Sequence, residues 1–149
     1  MTGSNRFRHK GFTLVELIIV IVLLGILSTV AFSTFFSLST YRERAAYDEL
    51  AGAVRYAQKL AVASGCAVRI NIGSNNYTVQ QHVTDCTTGV FTTLVGHPVT
   101  SGLFSGVTIA SVPASFDFDA MGRSSSAAAI TVGSLSFNVI AATGYVDAP

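Results

Sequence analysis

The chain has 149 residues and a mass of 15.6 kDa, which is the size of one domain. Half of its residues are hydrophobic and 11% are charged, against about 25% charged in an average soluble domain. This composition excludes a disordered polymer and a uniformly solvated globule. The net charge of +1 is too small for a protein that binds nucleic acid through bulk charge.

A basic segment, residues 1–11, precedes a long apolar run. Between Leu17 and Tyr41 there are 25 residues without a charge or a proline, and about 18 such residues are enough to predict a membrane-spanning helix. A secretory signal peptide has a shorter apolar core and ends in an Ala-x-Ala-like cleavage site, which is absent. A plain signal anchor does not need Glu16, because an acid is costly inside a membrane. Glu16 is therefore a candidate functional residue.

The segment Lys10–Leu17, with the sequence KGFTLVEL, resembles the processing site of type IV prepilins and type II secretion pseudopilins. The resemblance implies cleavage after Gly11 by a membrane aspartic protease and N-methylation of the new terminal residue, Phe12. The prepilin peptidase/methylase and the inner-membrane assembly platform are then expected partners. The mature chain is expected in the inner membrane as a single-pass protein with a periplasmic C-terminal domain, and afterwards in a pilus or pseudopilus.

The resemblance also implies a role for Glu16. Cleavage creates an ammonium group at Phe12, four residues earlier on the same helix face. In the family, the acid of an entering subunit pairs with the terminal amine of its neighbour, which sets the axial register and lowers the cost of both charges. The alternative is that Glu16 only reaches the lipid headgroups. Many major pilins have a proline in the second half of this helix, and its absence from residues 31–36 favours a minor subunit.

An amphipathic helix is predicted for residues 42–64. Apolar residues recur there at spacings of three and four, which forms one helical stripe, and Gly65 is a plausible stop. A single helix from Phe12 to Ser64, with residues 12–41 as the transmembrane or filament-core half, fits the resemblance. Two helices broken near residues 37–40 are the alternative. The stripe consists of Tyr47, Leu50, Val54, Ala57 and Ala61.

From residue 65 to residue 149 the pattern predicts a β-rich globular domain. Residues 68–72 alternate between apolar and polar, and a turn at residues 73–76 leads to a second strand at 77–83, which predicts a hairpin. The predicted fold is α+β and pilin-like: a long N-terminal helix, half membrane-spanning and half amphipathic, packs on a C-terminal antiparallel β-sheet. The further predicted strands are residues 90–95, 107–112, 115–118, 129–132, 135–140 and 145–146.

Two turn motifs in this domain carry a second resemblance. Residues Phe118–Arg123 have the sequence FDAMGR, and Thr143–Val146 have the sequence TGYV. Together they resemble the C-terminal pattern of minor subunits of the secretion H-type and of the MSHA (mannose-sensitive haemagglutinin) C-type. Two ordinary glycine turns are the alternative. In combination with the cysteine pair, the motifs favour an MSHA-like minor pilin over an H-type pseudopilin.

Cys66 and Cys86 bracket the predicted hairpin. In an exported domain a disulfide between them persists and contributes about 3 kcal/mol in the chain-entropy model. Two free thiols are the alternative, while a metal site with His82 lacks the four ligands that zinc requires. Asp117 and Asp119 lie on one side of a strand without the spacing of a calcium loop, so exposed carboxylates are expected instead.

The sequence contains no motif for catalysis or for cofactor binding. It has no nucleotide-binding loop, no Gly-x-Ser-x-Gly and no His-Glu-x-x-His. His82 and His97 are expected to be exposed to solvent. Neither enzymatic activity nor a bound cofactor is therefore expected. A structural subunit that assembles with other pilin or pseudopilin subunits is the leading prediction. DNA binding is not expected, because residues 142–149 contain Asp147 and no Lys or Arg, which leaves little counterion release to drive it. Adhesion to a glycan stays open.

Overall fold

The computed structural model describes residues 12–35, 38–82, 85–86 and 89–149. The chain divides into two compact units, Met1–Ser37 and Leu38–Pro149. The first unit contains helix α1, Leu14–Phe35. The predicted leader, residues 1–11, lies outside the described residues. So does the junction at residues 36–37, on which the choice between one helix and two depends.

In the part of the chain that the structure describes, no helix is both long and apolar enough to cross a membrane.

Helix α2, Leu38–Ser64, opens the second unit and buries the stripe predicted from the sequence. Three additional alanines are buried next to this stripe, and their small side chains let strands approach the helix closely. Gly65 follows the helix with a φ of +68°, the left-handed conformation that commonly ends helices, as predicted. The buried residues of α2 are Ala46, Tyr47, Leu50, Ala51, Ala53, Val54, Ala57 and Ala61.

Nine strands in the described part of the second unit form two antiparallel sheets. One sheet has the order β3-β2-β1-β6, with β4 also paired to β2, and the other has the order β5-β7-β8-β9. The α+β pilin-like fold is therefore confirmed, although the sequence predicted one sheet. The strands are β1 Val68–Ile72, β2 Asn76–His82, β3 Phe91–Thr93, β4 Ser101–Leu103, β5 Ile109–Val112, β6 Ser115–Phe118, β7 Ala128–Val132, β8 Leu135–Val139 and β9 Val146–Asp147.

Strands β1 and β2 form the predicted hairpin, with Val68 opposite Gln81 and Ile72 opposite Tyr77. Beyond β1 and β2, each strand that the sequence predicted is present, with small shifts of its ends. Strand β4 was not predicted, because its sequence, Ser-Gly-Leu, has low β-propensity.

Strands β3 and β4 occupy the same edge of β2 in succession. The backbone N–H of Leu94 donates to the carbonyl oxygen of Val79 at 3.1 Å, and the N–H of Val79 donates to the carbonyl oxygen of Thr100 at 2.8 Å. The chain between residues 94 and 100 therefore leaves the edge of β2 at Val79 and returns to it at the same residue. This edge is completed by two three-residue strands with a loop between them.

One hydrophobic core lies between α2 and the two sheets. The ring of Tyr47 on α2 meets the ring of Phe137 on β8 edge-on, with centroids 5.4 Å apart. Leu50 and Val54 on the helix have no exposed surface. Because both sheets pack on the same helix, the helix fixes where the ends of their strands lie. The largest fully buried side chains are Phe116, Phe118, Phe137, Leu50, Ile70 and Ile130.

Leu50→Ala is expected to lower the free energy of unfolding by about 2–5 kcal/mol, because it removes buried methyl groups and leaves a cavity. Val62→Ala, at an exposed position on the same helix (53% exposed), is the matched control and should change it by about 0.5 kcal/mol or less. Urea unfolding of both variants measures the difference. Equal losses in the two variants would contradict the position assigned to Leu50.

Candidate functional site

The start of helix α1 is set by Thr13. Its hydroxyl oxygen accepts a hydrogen bond from the backbone N–H of Glu16 at 3.2 Å, and its carbonyl oxygen accepts from the N–H of Leu17 at 3.2 Å. A Thr at the N-cap with a Glu three residues later is a typical helix start. Glu16 therefore lies in the first turn of α1, where a negative charge is favourable.

Helix α1 exposes its large apolar side chains from Leu14 to Leu27. Phe12 is 82% exposed, and Glu16 is exposed as well. A helix that is apolar on all sides is stable when lipid or other chains cover it. Gly11, on the other side of the predicted cleavage point, lies outside the described residues. Exposed large apolar residues in the first half of α1 include Leu17, Ile18, Ile19, Val20, Ile21 and Val22.

The first turn motif, Asp119–Arg123, is closed by the carboxylate of Asp119. Its Oδ1 atom accepts from the backbone N–H groups of Met121 at 2.9 Å and Arg123 at 2.8 Å, and its Oδ2 atom accepts from Nε of Arg123 at 2.9 Å. These hydrogen bonds, the backbone bond from Arg123 first, hold the pKa of Asp119 below its ordinary value. Gly122 occupies the left-handed region with a φ of +78°, which glycine adopts without strain.

Gln58 on α2 joins this turn to the second motif. Its Nε2 atom donates to the carbonyl oxygen of Gly122 at 3.0 Å and to the carbonyl oxygen of Thr143 at 3.1 Å. A Cβ atom on Gly144, where φ is +64°, would collide with the carbonyl oxygen of Gly122. The two motifs are therefore in contact, and one helix side chain holds both. The motif resemblance pointed to the two turns but did not identify Gln58.

The disulfide predicted from the sequence is present: Cys66 is bonded to Cys86, with Cα atoms 4.3 Å apart. It ties the segment between α2 and β1 to the chain that precedes β3. Next to it, the hydroxyl oxygen of Ser64 accepts from Nε2 of Gln81 at 2.8 Å and from the N–H of Cys66 at 3.3 Å. The end of the helix is thus connected to the first hairpin by a covalent bond and by hydrogen bonds.

The two histidines of the second unit differ in their exposure. His82 is half-buried, its Nδ1 atom lies 3.1 Å from the carbonyl oxygen of Gly89, and its ring packs on Phe91 at 3.9 Å. Since a carbonyl oxygen only accepts, Nδ1 is assigned the proton. His97 is exposed, as expected, and its Nδ1 atom is 3.0 Å from the hydroxyl of Tyr56.

Asp117 was expected to be an exposed carboxylate and is instead half-buried in an ion pair. It accepts from Nε and Nη2 of Arg69 at 2.6 and 2.9 Å, and the guanidinium also lies 4.0 Å from the centroid of the Phe91 ring. The hydrogen bond to Asp117 raises the pKa of Arg69. The carboxylates of Asp117 and Asp119 are thus both paired with arginines, Asp117 with Arg69 and Asp119 with Arg123.

A capped apolar helix with an acid in its first turn and an amphipathic helix packed on antiparallel sheets define a pilin-like protein. A family model described as "Prokaryotic N-terminal methylation motif" matches residues 6–32. A second, "Type II transport protein GspH", matches residues 46–145, which is about two thirds of the chain. The chain therefore belongs to the GspH family of pilins and pseudopilins, which are structural subunits rather than enzymes.

Individual relatives agree with this assignment. The chain is 48% identical to the "Type IV narrow pilus major component PilA5" of Thermus thermophilus over 54 residues, or 36% of this chain and 47% of that protein. It thus spans about half the length of this relative.

Two solved structures share the fold. The minor pseudopilin EpsH from the type 2 secretion system of Vibrio cholerae has a TM-score of 0.59 at 9% identity over 72% of this chain and 96% of its own. The type IV minor pilin FimU of Pseudomonas aeruginosa has a TM-score of 0.54 at 14% identity over 70% and 90%.

Gln58→Glu is expected to lower the free energy of unfolding at neutral pH by about 2–3 kcal/mol, because both hydrogen bonds are lost and a carboxylate faces two carbonyl oxygens. Lys59→Gln, at the next and exposed position, is the matched control and should stay within about 0.5 kcal/mol of the wild type. Urea unfolding measures both. A Gln58→Glu variant as stable as the control would show that the two turns are not held by this side chain.

The free energy of unfolding is expected to depend on the protonation of Asp119 at low pH. Because its pKa is lowered in the folded state, its contribution is present above the ordinary carboxyl pKa of about 3.9 and is lost as the pH falls through the lowered value. Unfolding measured between about pH 2 and pH 6 should therefore show a shallower acid loss for Asp119→Asn than for the wild type. If the free energy of unfolding fell equally with pH in the two proteins, this contribution of Asp119 would be ruled out.

Proposed function

We propose that this chain is a minor subunit of an MSHA-like type IV pilus, made as a prepilin and assembled through its N-terminal helix. The observation that carries the proposal is Glu16, an acid held in the capped first turn of an otherwise uncharged apolar helix. In this proposal residues 1–11 are the leader and residues 12–41 the transmembrane and filament-core helix. Residues 42–64 are the amphipathic helix, and residues 65–149 are the periplasmic domain.

The proposed processing step is cleavage of the bond between Gly11 and Phe12 by prepilin peptidase, followed by N-methylation of Phe12. The methylation motif at residues 6–32 supports it. Cleavage removes three of the nine basic residues and none of the eight acids, so the net charge changes from +1 to −2. Loss of the basic leader removes the charge that holds this end on the cytoplasmic side.

The proposed role of Glu16 follows from the cost of placing its carboxylate in an apolar environment. The terminal ammonium of Phe12 has the opposite charge, and placing it in an apolar environment is costly as well. Contact between Glu16 of an entering subunit and Phe12 of its neighbour lowers both costs at one axial displacement only. The pair therefore selects the register of the helices, which is the best-supported use of a buried ion pair.

The proposed location is the inner membrane, with α1 as the anchor and residues 65–149 in the periplasm, until the assembly platform transfers the subunit into the filament. The Cys66–Cys86 disulfide supports an exported domain, because disulfides persist in oxidising compartments such as the periplasm. The other expected partners are pilin or pseudopilin subunits.

The MSHA-like assignment rests on the combination of the cysteine hairpin, the Asp119–Arg123 turn and the Thr143–Gly144 motif, with Gln58 in contact with both turns. The second candidate is an H-type minor pseudopilin of a type II secretion system, which the GspH match over residues 46–145 favours. Both use the same assembly chemistry. Neighbouring genes for an adhesive pilus or for secretion distinguish the two.

The proposal predicts that the exported chain starts at N-methylated Phe12, which mass spectrometry of its N-terminal peptide measures. Glu16→Gln, which removes the charge and keeps the size, should still be cleaved after Gly11 but should enter the filament about tenfold less, because the neighbour's ammonium loses its partner. Glu16→Asp keeps the charge and is the matched control. An intact Met1, another start site, or normal incorporation of Glu16→Gln contradicts the proposal.

A further inference from the structure

Two clefts adjoin each other beside the first turns of α2. The smaller one, of about 170 Å³, lies between the helix and residues 103–107. The larger one, of about 580 Å³, lies between the same segment and the turn that joins β1 to β2. We call them the apolar cleft and the polar cleft after the side chains that distinguish them. The apolar cleft has Ala45, Ala46, Leu103, Phe104 and Val107 in its lining.

The polar cleft adds hydroxyl and amide groups to the surface that the two clefts share. These groups belong to Ser74, Asn75 and Thr108, and Ser105 lies in the lining of both clefts. Apolar surface is thus continuous with a set of uncharged hydrogen-bonding groups. This combination fits a molecule that is apolar at one end and polar at the other.

Arg42 lies where the two clefts meet. It lines the apolar cleft, and its Nη1 atom is 3.6 Å from the place that a Cβ atom on Gly106 would take. Gly106 lines the polar cleft. The guanidinium group is therefore at the boundary between apolar and polar surface, where the charged head of an amphiphile would be.

The charge of Arg42 is available to a ligand. Its neighbour Glu43 accepts hydrogen bonds from the hydroxyl and the N–H of Ser134 at 2.9 and 3.3 Å. Arg44 is paired with Asp48 at 3.4 Å. Among the residues that the structure describes, Arg42 has no ion pair. An anionic group at this position would therefore meet a cation that is not already neutralised.

The acid of the apolar cleft lies away from this position. Glu49 is two helical turns after Arg42, or about 10 Å along the helix. Its Oε1 atom accepts a hydrogen bond from the hydroxyl of Tyr77 at 3.3 Å. An anion beside Arg42 is thus separated from the carboxylate of Glu49.

The position of Arg42 in the sequence indicates which amphiphile is close at hand. Arg42 is the first charged residue after the uncharged run of residues 17–41. Just before it, Leu38 and Tyr41 are 54% and 78% exposed, and Leu103 at the mouth of the clefts is 74% exposed. Tyrosine and arginine at the end of an apolar segment are typical of the level of lipid headgroups.

We propose that the two clefts and Arg42 bind an anionic phospholipid of the membrane that anchors the chain. The phosphate lies on the guanidinium of Arg42, the rest of the headgroup lies in the polar cleft, and part of an acyl chain lies against the apolar cleft and Leu103. The inference rests on the proposed function, in which residues 12–41 span that membrane. The lipid holds one side of the second unit against the bilayer until the subunit leaves the membrane.

The test uses the fact that the chain contains no tryptophan, so that one introduced tryptophan reports on its own surroundings. The full chain with Leu103→Trp is placed in phosphatidylcholine vesicles that contain phosphatidylglycerol, with quenching bromine atoms on the acyl chains of one lipid or the other. Half-quenching is expected at a mole fraction of brominated phosphatidylglycerol about fivefold lower than that of brominated phosphatidylcholine. Equal mole fractions indicate only that position 103 is near the bilayer, and they overturn the proposal.

Val95→Trp is the matched control for the position of the probe. Val95 is 91% exposed, on the loop that His97 joins to Tyr56. Tyr56 is fourteen residues after Arg42, or about 21 Å along α2. The tryptophan at position 95 should be quenched little by either lipid. If both positions are quenched equally, the clefts are not the side that faces the bilayer, and the proposal fails.

Substitution of Arg42 tests the charge in the Leu103→Trp background. Arg42→Gln should remove the fivefold preference for the anionic lipid, and Arg42→Lys, which keeps the charge, should retain most of it. Arg55→Gln is the matched control, because Arg55 is an exposed arginine further along the same helix, and it should leave the preference unchanged. A preference that survives Arg42→Gln, or that Arg55→Gln removes equally, contradicts the proposed site.

Flotation of the same vesicles separates this inference from the proposed function. A chain that floats with the vesicles but shows no lipid preference refutes the lipid site and leaves the proposed function standing. A chain that does not float with them refutes both the proposed anchor and the lipid site. A lipid preference at position 103, together with an exported chain that still begins at Met1, refutes the proposed processing and supports the lipid site.

Discussion

Burial of one stripe of α2 against two sheets is the interaction on which the rest of the second unit depends. Each sheet is small, and three of the described strands, β3, β4 and β9, have three residues or fewer, so neither sheet provides a core alone. The helix supplies the common surface: its alanines admit the strands closely, and Tyr47, Leu50 and Val54 fill the space between them. Because one side of α2 is used in this way, the opposite side remains exposed.

The same helix also explains why two distant turn motifs occur together. Gln58 lies beside the buried stripe, and its single amide group reaches the carbonyl oxygens of Gly122 and Thr143. The turn at Asp119–Arg123 is closed by the carboxylate of Asp119, so Gln58 packs on a turn that is already hydrogen-bonded within itself. Close contact between Gly122 and Gly144 leaves no room for a side chain at position 144. The motif is therefore a set of packing requirements.

Periodicity made the helix stripe, the first hairpin and most strands predictable, because each repeats a simple pattern over several residues. Strand β4 was missed, since Ser101–Leu103 owes its conformation to pairing with β2 and not to its own propensity. The division into two sheets and the role of Gln58 depend on contacts between residues far apart in the sequence. The resemblance drew attention to Phe12 and Glu16, whose roles stay predictions, whereas the cap at Thr13 required the geometry of the backbone.

The divided edge of β2 has a consequence for a member of a family whose subunits assemble with one another. A long, straight outer strand offers a row of unpaired backbone groups on which another chain can form a sheet, which leads to aggregation. Here β3 and β4 are each only three residues long, and the chain between residues 94 and 100 interrupts them. This edge is therefore too short and too interrupted to serve as a template for a strand of another chain.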